Sequence, residues 1–227
     1  MIITIDGPIA TGKSTIAKSL AREIGYIYFD TGAMYRCMAY AALKHNVDVD
    51  NEEAVKSFLK DYKFDIKIKR GERFYFVEDE DVTTAIRGEA VTSFVSKLAA
   101  LPSVRDKLVV LQREWAIGVN AVFEGRDLGT VVFPDAYVKI FLKGSPEVRA
   151  KRRYEELLVR FPEESKDLTP QKVLEDINKR DTYDMMRKVS PLCKAPDAFE
   201  IDTSNLTVDE IVFKILEYKD TIKTKKQ

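Results

Sequence analysis

The chain has 227 residues, 45% of them hydrophobic, which is enough to build the core of one or two globular domains. Its 37 basic and 37 acidic side chains give a formal net charge of zero, so the overall charge does not indicate a nucleic-acid partner. No apolar run reaches the ~18–20 residues that cross a bilayer, and Asp6 interrupts the apolar start, so we expect neither a membrane-spanning segment nor a signal peptide.

The first predicted element is a strand that leads into a glycine-rich loop. The apolar, β-branched run at 2–5 is typical of a buried parallel strand, and apolar residues recur at helical spacing over 16–24. Between them, residues 7–14 match G-x-x-x-x-G-K-[ST], and this strand–loop–helix order is typical of a phosphate-binding P-loop. Backbone N–H groups of such a loop hold phosphates, while Lys13 would reach the terminal phosphates and Ser14 could ligate Mg²⁺. The pattern predicts binding of a nucleoside triphosphate; the alternative is an ordinary strand-to-helix turn with a coincidental lysine.

The remaining segments predict strands that alternate with helices, and one hairpin interrupts the alternation. Apolar and polar residues alternate over 64–68, the chain turns at Arg70-Gly71, and aromatic residues follow, which is typical of an antiparallel hairpin. Strands alternating with helices indicate an α/β fold with a parallel sheet flanked by helices, in which the hairpin is an insertion. Further strands are predicted in YIYFD, NAVFEG, YVKIFLKG and AFEID. Helices are predicted over about 33–45, 50–62, 89–100 and 102–117, and three more begin at Pro146, at Pro170 and after Thr207. Asp50 with Glu53, and Thr207 with Glu210, are the predicted capping pairs of two of these helices.

Three polar loops follow predicted strands, at the edge of the sheet where α/β proteins bind ligands. They are the P-loop, DTGAMYR and EGRDLGT, and the last two would project Arg36 and Arg126 beside the same crevice. A single arginine in a chain that is 33% charged would more simply form a surface ion pair. Two arginines at one crevice favour a second phosphate held by guanidinium groups, and therefore phosphoryl transfer between two nucleotides.

The string NKRD at 178–181 offers another interpretation, because N-K-x-D reads guanine in GTPases. In those proteins the string follows a buried strand, whereas here it lies in a charged segment at helical spacing. A D-x-x-G element between it and the P-loop is also absent from the sequence. The sequence therefore favours a kinase over a GTPase.

Six segments are informative when taken together: ITIDGPIATGKST, DTGAMYR, LPSVR, EGRDLGTVVFPDAYVKIFL, KRD and DMMRKVSPL. In this set and order the chain strongly resembles the bacterial cytidylate kinase family of nucleoside monophosphate kinases, over nearly its whole length. The phrase GRDLGTVVFPDA is far more specific than the P-loop, and the hairpin insertion is a further mark of the bacterial type. The chain departs from the family pattern at Ala10, which replaces a common glycine, at Thr31, which replaces a serine, and at Glu124, which replaces an aspartate.

The resemblance implies a P-loop kinase that phosphorylates CMP, and also dCMP, with ATP as donor and Mg²⁺ as metal. It implies one kinase unit with a core at about 1–35, 88–145 and 190–227, a monophosphate-binding insertion at about 36–87 that holds the small antiparallel sheet, and a helical lid at about 146–189. The residues that would bind ATP are Gly7, Pro8, Ile9, Ala10, Thr11, Gly12, Lys13, Ser14 and Thr15, and Ser14 would also hold the metal.

The resemblance also implies which residues bind the acceptor nucleotide. A carboxylate at Asp127 would accept from the cytosine amine and repel the carbonyl of uracil; the alternative is that it only holds Arg126 in place. Cytosine would be bound by Thr31, Tyr35, Arg105 and Asp127, the acceptor phosphate by Arg36, Arg126 and Arg187, and the sugar by Ser96, Arg180 and Asp184. The catalytic cations would be Lys13, Arg126 and Arg187 with a lid arginine, Arg152 or Arg153, and Arg149 is a third lid candidate.

We expect a cytoplasmic monomer that binds small nucleotides and neither nucleic acid nor membrane. Cys37 and Cys193 lack metal-ligand or redox spacing, which favours a reducing compartment. Two other functions remain as alternatives: a kinase for UMP or another small phosphate acceptor, and a regulatory P-loop ATPase with no second substrate.

Overall fold

The computed structural model describes residues 1–69, 72–163 and 165–225, which form two compact units. The first unit comprises Met1–Phe29 and Ala116–Gln227, and the second comprises Asp30–Trp115. No helix in the described part of the chain is long and apolar enough to cross a membrane. In chain order the elements are β1 (Ile2–Asp6), α1 (Lys13–Glu23), β2 (Ile27–Asp30), α2 (Thr31–Lys44), α3 (Glu52–Asp61), β3 (Phe64–Lys69), β4 (Glu72–Val77), β5 (Glu80–Asp81), α4 (Glu89–Leu98), α5 (Pro102–Trp115), β6 (Ala121–Gly125), β7 (Val138–Lys143), α6 (Pro146–Arg160), α7 (Pro170–Met186), β8 (Phe199–Asp202) and α8 (Val208–Lys225).

The first unit is built on a five-stranded parallel sheet with strand order β2-β6-β1-β7-β8, flanked by helices. The central strand β1 pairs with β6 and β7, so that Ile3 lies opposite Val122 on one side and Val138 on the other. All three side chains are buried, as expected for a parallel sheet covered by helices. Because the strands are parallel, the loops after β1, β6 and β7 leave the same edge of the sheet. The predicted α/β fold is confirmed.

The second unit is mainly helical and carries a small antiparallel sheet, in which β4 pairs with β3 on one side and β5 on the other. Buried residues of α2 and α5, among them Met34, Met38 and Leu108, form its core with the sheet. The predicted hairpin is confirmed, although its turn at Arg70-Gly71 lies outside the described residues. The two-residue strand β5 is too short for periodicity to predict. The boundaries of core, insertion and lid stay a prediction.

Side-chain caps fix the starts of α6, α7 and α8 as the sequence predicts. Ser145 caps α6 and Thr169 caps α7, each followed by proline at the first helical position. The Thr207 hydroxyl accepts from the N–H of Glu210, whose carboxylate accepts from the N–H of Thr207 at 2.8 Å, which is the predicted capping box. The NKRD string at 178–181 lies inside α7 and not in a loop after a strand, in agreement with the preference for a kinase over a GTPase.

Two helices begin at positions other than those predicted. Helix α2 starts at Thr31, because the Asp30 carboxylate caps it by accepting an N–H of the first turn at 2.9 Å. The predicted capping role of Asp50 is wrong, since Asn51 caps α3 and Asp50 instead lies 2.7 Å from Nζ of Lys97. Asp and Asn are equally good caps, so adjacent candidates are separated only by their other contacts.

Candidate active site

The P-loop between β1 and α1 has a backbone that requires glycine at two positions. Gly7 has φ of +152°, and a Cβ there would lie 2.2 Å from the carbonyl oxygen of Leu142, so no side chain fits. Gly12 has φ of +86°, a left-handed conformation that glycine adopts without strain. Ala10 is also left-handed, with φ of +60°, which costs about 1–2 kcal/mol for a residue with a Cβ. The loop therefore keeps both motif glycines and holds Ala10 under strain.

Lys13, the first residue of α1, is buried beneath this loop. Its Nζ donates to the carbonyl oxygen of Pro8 at 2.6 Å, and the Thr11 hydroxyl donates to the same oxygen at 3.0 Å. Burial, and after it the charge of Arg126, lowers the pKa of Lys13 to about 7. The charges of Glu124, Asp6 and Asp184 act in the opposite direction, and a bound phosphate would add further negative charge that favours the ammonium form.

Ser14, the predicted Mg²⁺ ligand, lies beside a carboxylate. Its hydroxyl donates to Oε1 of Glu124 at 2.5 Å, and the Tyr28 hydroxyl donates to the same oxygen at 3.2 Å. Because the hydroxyl proton of Ser14 points to Glu124, the lone pairs of Ser14 are available to a cation. Within residues 1–69, 72–163 and 165–225 no group of three or more His, Cys, Asp or Glu could hold a metal.

The loop after β6 is tied to β1 through Asp6. The Asp6 carboxylate accepts the N–H groups of Leu128 and Gly129 at 3.0 and 2.8 Å. Burial raises the pKa of Asp6 to about 7, against these two hydrogen bonds, which lower it. These two hydrogen bonds fix the loop that carries Arg126 and Asp127 to the strand that leads into the P-loop.

Helix α7 brings the other predicted residues of the first unit to this loop. Nε of Arg126 lies 3.1 Å from Oδ2 of Asp184, and Nη2 of Arg187 lies 3.4 Å from Oδ1 of Asp127. Arg180 is partly buried, and burial followed by the charge of Arg126 lowers its pKa to about 10. The structure thus assembles these five residues around the carboxyl end of β6.

The arginines of α6 have different surroundings. Arg152 donates from its two terminal nitrogens to the hydroxyl and carbonyl oxygens of Thr203, at 3.1 and 2.6 Å. Nη1 of Arg153 donates to Oε2 of Glu156 on the same helix at 2.8 Å, and the charge of Arg153 adds, after burial and the charge of Arg126, to the lowered pKa of Arg180. Arg149 is buried and contacts the P-loop itself.

The second unit carries the remaining predicted acceptor residues, on α2, α4 and α5. The guanidinium carbon of Arg105 lies 5.5 Å from the centre of the Tyr35 ring, a cation–π contact between two buried side chains. Thr31 is buried one turn before Tyr35 on α2, and therefore on the same face. Arg36 donates to a hydroxyl of α4 at 2.9 Å, and Ser96 is half-buried on the same helix. Thr31, Tyr35 and Arg105 are brought together within this unit.

Two buried carboxylates at the site, Asp6 and Asp181, are not singled out by the sequence patterns. A signal for Asp181 is nevertheless present, because the buried face of α7 runs through Val173, Ile177, Asp181 and Asp184. Carboxylates that continue an apolar helical stripe are rarely buried unless they are paired. Asp6 carries no such signal, since its partners are backbone groups of a distant loop.

Comparison with known proteins identifies similar sequences and a similar fold. The family model described as cytidylate kinase matches residues 3–221. A protein named cytidylate kinase from Protochlamydia amoebophila is 62% identical over 226 residues, covering 100% of this chain and 99% of that protein. A protein of the same name from Geobacillus thermodenitrificans is 50% identical over 216 residues, covering 95% and 94%. The crystal structure of an uncharacterized protein from Eubacterium ventriosum, 15% identical with a TM-score of 0.51 over 97% and 98% of the two chains, resembles it in fold.

Proposed function

The chain belongs to the cytidylate kinase family, and from that membership we propose that it transfers the γ-phosphoryl group of ATP to CMP, and also to dCMP, with ADP as the second product. The observation that carries the proposal is a cluster of basic side chains at the carboxyl edge of the sheet, formed by Lys13, Arg126, Arg180 and Arg187. Burial, and after it the charge of Arg126, lowers the pKa values of both Lys13 and Arg180. Their charged forms are therefore disfavoured in the free protein, in spite of the neighbouring carboxylates, and the phosphates of two nucleotides would stabilise them.

In the proposed reaction an oxygen of the CMP phosphate attacks the γ-phosphorus of ATP, while the bond from that phosphorus to the leaving oxygen of ADP breaks. The acceptor oxygen is already ionised at neutral pH, so positioning and charge neutralisation supply the catalysis. Lys13 and the N–H groups of the P-loop would hold the terminal phosphates of ATP. Arg36, Arg126 and Arg187 would hold the acceptor phosphate and keep it in line with the γ-phosphorus.

Of the lid arginines, we assign Arg153 to the transferring phosphoryl group. Its charge acts on the partly buried Arg180, and its Nη1 donates to the exposed Glu156 of the same helix at 2.8 Å. Such a surface ion pair contributes little stability, so releasing it costs less than breaking the two hydrogen bonds that Arg152 makes to Thr203.

Ser14 and Glu124 suit a Mg²⁺ ion bound together with ATP. The Ser14 oxygen would be the protein ligand, and the buried carboxylate of Glu124 would keep the hydroxyl proton turned away from the cation. When bound, Mg²⁺ would supply positive charge to the β- and γ-phosphates. Glu124 thus has a supporting role in this proposal, which the sequence alone does not assign.

The remaining roles concern the acceptor nucleoside. The buried Tyr35–Arg105 contact and the burial of Thr31 and Asp127 support binding of a flat, polar base. Arg105 would donate to the carbonyl and ring nitrogen of cytosine, and Asp127 would accept from its amine. In this proposal the cytosine ligands are Thr31, Tyr35, Arg105 and Asp127, and the sugar ligands are Ser96, Arg180 and Asp184.

The substrate assignment predicts that ADP release from ATP depends on the acceptor. In a coupled assay with CMP, dCMP, UMP, AMP and GMP, turnover should be fastest with CMP and dCMP and should fall to a small background without acceptor. A UMP kinase would invert the order of the pyrimidines. A regulatory ATPase would release ADP equally well with no monophosphate, and either result would contradict the proposal.

If three arginines bind the acceptor phosphate, replacing them should impair the use of CMP and leave ATP binding unchanged. Arg36→Ala, Arg126→Ala and Arg187→Ala should each lower kcat/KM for CMP by about tenfold or more, because each removes a charge-assisted phosphate contact. Equilibrium ATP affinity without CMP should stay within about twofold of wild type. The exposed Arg22→Ala on α1 is the matched control and should change neither quantity. Equal loss of ATP binding in all three variants would mean that these arginines serve the donor.

A further inference from the structure

One buried ion pair holds both backbone groups of a single P-loop residue. Nη1 of Arg149 lies 2.6 Å from Oδ2 of Asp181, and the two side chains are only 5% and 8% exposed. The other carboxylate oxygen of Asp181 accepts the N–H of Ile9 at 3.2 Å, while Nη1 of Arg149 donates to the carbonyl oxygen of Ile9 at 3.0 Å. Nε of Arg149 also donates to the carbonyl oxygen of Gly144 at 2.9 Å. The pair therefore links the P-loop to α6, to α7 and to the end of β7.

Apolar contacts reinforce this link. The side chains of Ile9 and Ala10 pack against a small hydrophobic cluster whose buried members are Ala150 of α6 and Val173 and Ile177 of α7. Ala10 is the residue with φ of +60°, and a strained conformation persists where the surroundings determine it. Ile9, held by its N–H, its carbonyl and its side chain, fixes the peptide that enters Ala10.

We propose that Arg149 and Asp181 are positioning residues that hold the Ile9–Ala10 stretch in the conformation that binds the triphosphate of ATP, an inference that rests on the proposed donor role of the P-loop. The loop binds phosphate through backbone N–H groups, whose directions are useful only when the loop is fixed before the ligand arrives. Fixing it through a paired charge leaves both ions neutralised in the buried setting. Arg149 thereby acts on the loop and not on the transferring phosphoryl group.

The test compares ATP binding, CMP binding and loop exchange in three variants of the full chain. Asp181→Asn keeps an acceptor for the Ile9 N–H but removes the charge that orients Arg149. Arg149→Lys keeps a cation for Asp181 but lacks the fork that reaches Ile9 and Gly144 together. Asp176→Asn, an exposed position on the same helix, is the matched control for the first substitution.

Asp181→Asn and Arg149→Lys are each expected to weaken equilibrium ATP binding by about fivefold or more, with CMP binding changed by less than about twofold. Amide hydrogen exchange in peptides covering 7–12 should accelerate in both variants and stay at the wild-type rate in Asp176→Asn. A loss of global stability alone would weaken ATP and CMP binding alike. Weaker ATP binding with unchanged CMP binding therefore distinguishes positioning of the loop from a general structural role. If Asp181→Asn does not fold, the ATP affinity and loop exchange of Arg149→Lys alone still test the inference.

Wild-type ATP affinity and exchange rates in a folded Asp181→Asn or Arg149→Lys variant would overturn the inference. An Arg149→Lys variant with a lowered kcat and unchanged ATP affinity would overturn it as well, because that result places Arg149 on the transferring phosphoryl group. A wild-type chain that neither binds ATP nor phosphorylates CMP would instead contradict the proposed function, so the two failures are distinguishable.

Discussion

Lys13→Met is expected to lower kcat for CMP phosphorylation by about 10²–10³-fold, equivalent to roughly 3–4 kcal/mol of transition-state stabilisation. Methionine has nearly the length of lysine without its charge, so the terminal phosphates lose a preorganised cation while the volume under the loop stays filled. The fold should persist, because the Pro8 carbonyl keeps its hydrogen bond from the Thr11 hydroxyl. Burial already lowers the pKa of Lys13 to about 7, so replacing a buried ammonium with a thioether costs little in solvation.

The measurement is kcat by coupled ADP release, together with urea unfolding to establish that the variant is folded. Lys18→Met, on an exposed face of the same helix, is the matched control and should keep wild-type turnover. A folded Lys13→Met enzyme that retains more than about a tenth of kcat, a ~1.4 kcal/mol effect, would contradict the phosphate role of Lys13.

The P-loop could be predicted from the sequence because the fold requires both of its glycines, one through the local backbone and the other through a distant contact. Gly12 needs a left-handed φ, and a glycine at that spacing after a strand and before a helix indicates it directly. The need for Gly7 has another cause, since a Cβ there would clash with the carbonyl oxygen of Leu142, which lies 135 positions further along the chain. The motif thus records a long-range contact that no local propensity could supply.

The partners of the charged residues could not be predicted, because they depend on how distant elements pack. The sequence identifies Arg149 as one of several basic residues of α6, and only the structure shows that it is paired with Asp181 and bound to Ile9. Similarly, Asp50 and Asn51 are both good helix caps, and the contact of Asp50 with Lys97 is what separates them. Charges at buried helical positions are the one sequence signal that would have directed attention to such pairs.

Some predictions concern properties beyond the geometry of a single chain. Cys37 is buried and Cys193 is exposed, and the expected reducing compartment stays a prediction. The cytoplasmic, monomeric state of the protein stays a prediction from the sequence, as do the roles of the individual acceptor residues. Substitution tests those roles directly, and the role of Asp127 in base recognition is the one whose loss should change the preference between CMP and UMP.

Asp127 is placed to act either on the base or on an arginine; that arginine is Arg187, whereas Arg126, the partner predicted from the sequence, lies against Asp184. It is 5% exposed at the carboxyl end of β6, and its Oδ1 lies 3.4 Å from Nη2 of Arg187. A carboxylate can only accept hydrogen bonds at neutral pH, so it would favour the amine of cytosine and repel the carbonyl of uracil. If it serves only to orient an arginine, it would be indifferent to the base.

Asp127→Asn is expected to lower kcat/KM for CMP. The loss of transition-state stabilisation should be roughly 1.5–3 kcal/mol, the contribution of one charge-assisted hydrogen bond. The amide can rotate to offer its NH₂ to the uracil carbonyl, so UMP should lose less or improve, and the CMP/UMP ratio of kcat/KM should fall by at least about tenfold. The asparagine oxygen can still accept from Arg187, which separates base reading from positioning of the arginine, and the exposed Asp135→Asn is the matched control. An unchanged ratio with both activities reduced would refute base reading, because a misplaced arginine weakens the phosphate contact of every acceptor alike.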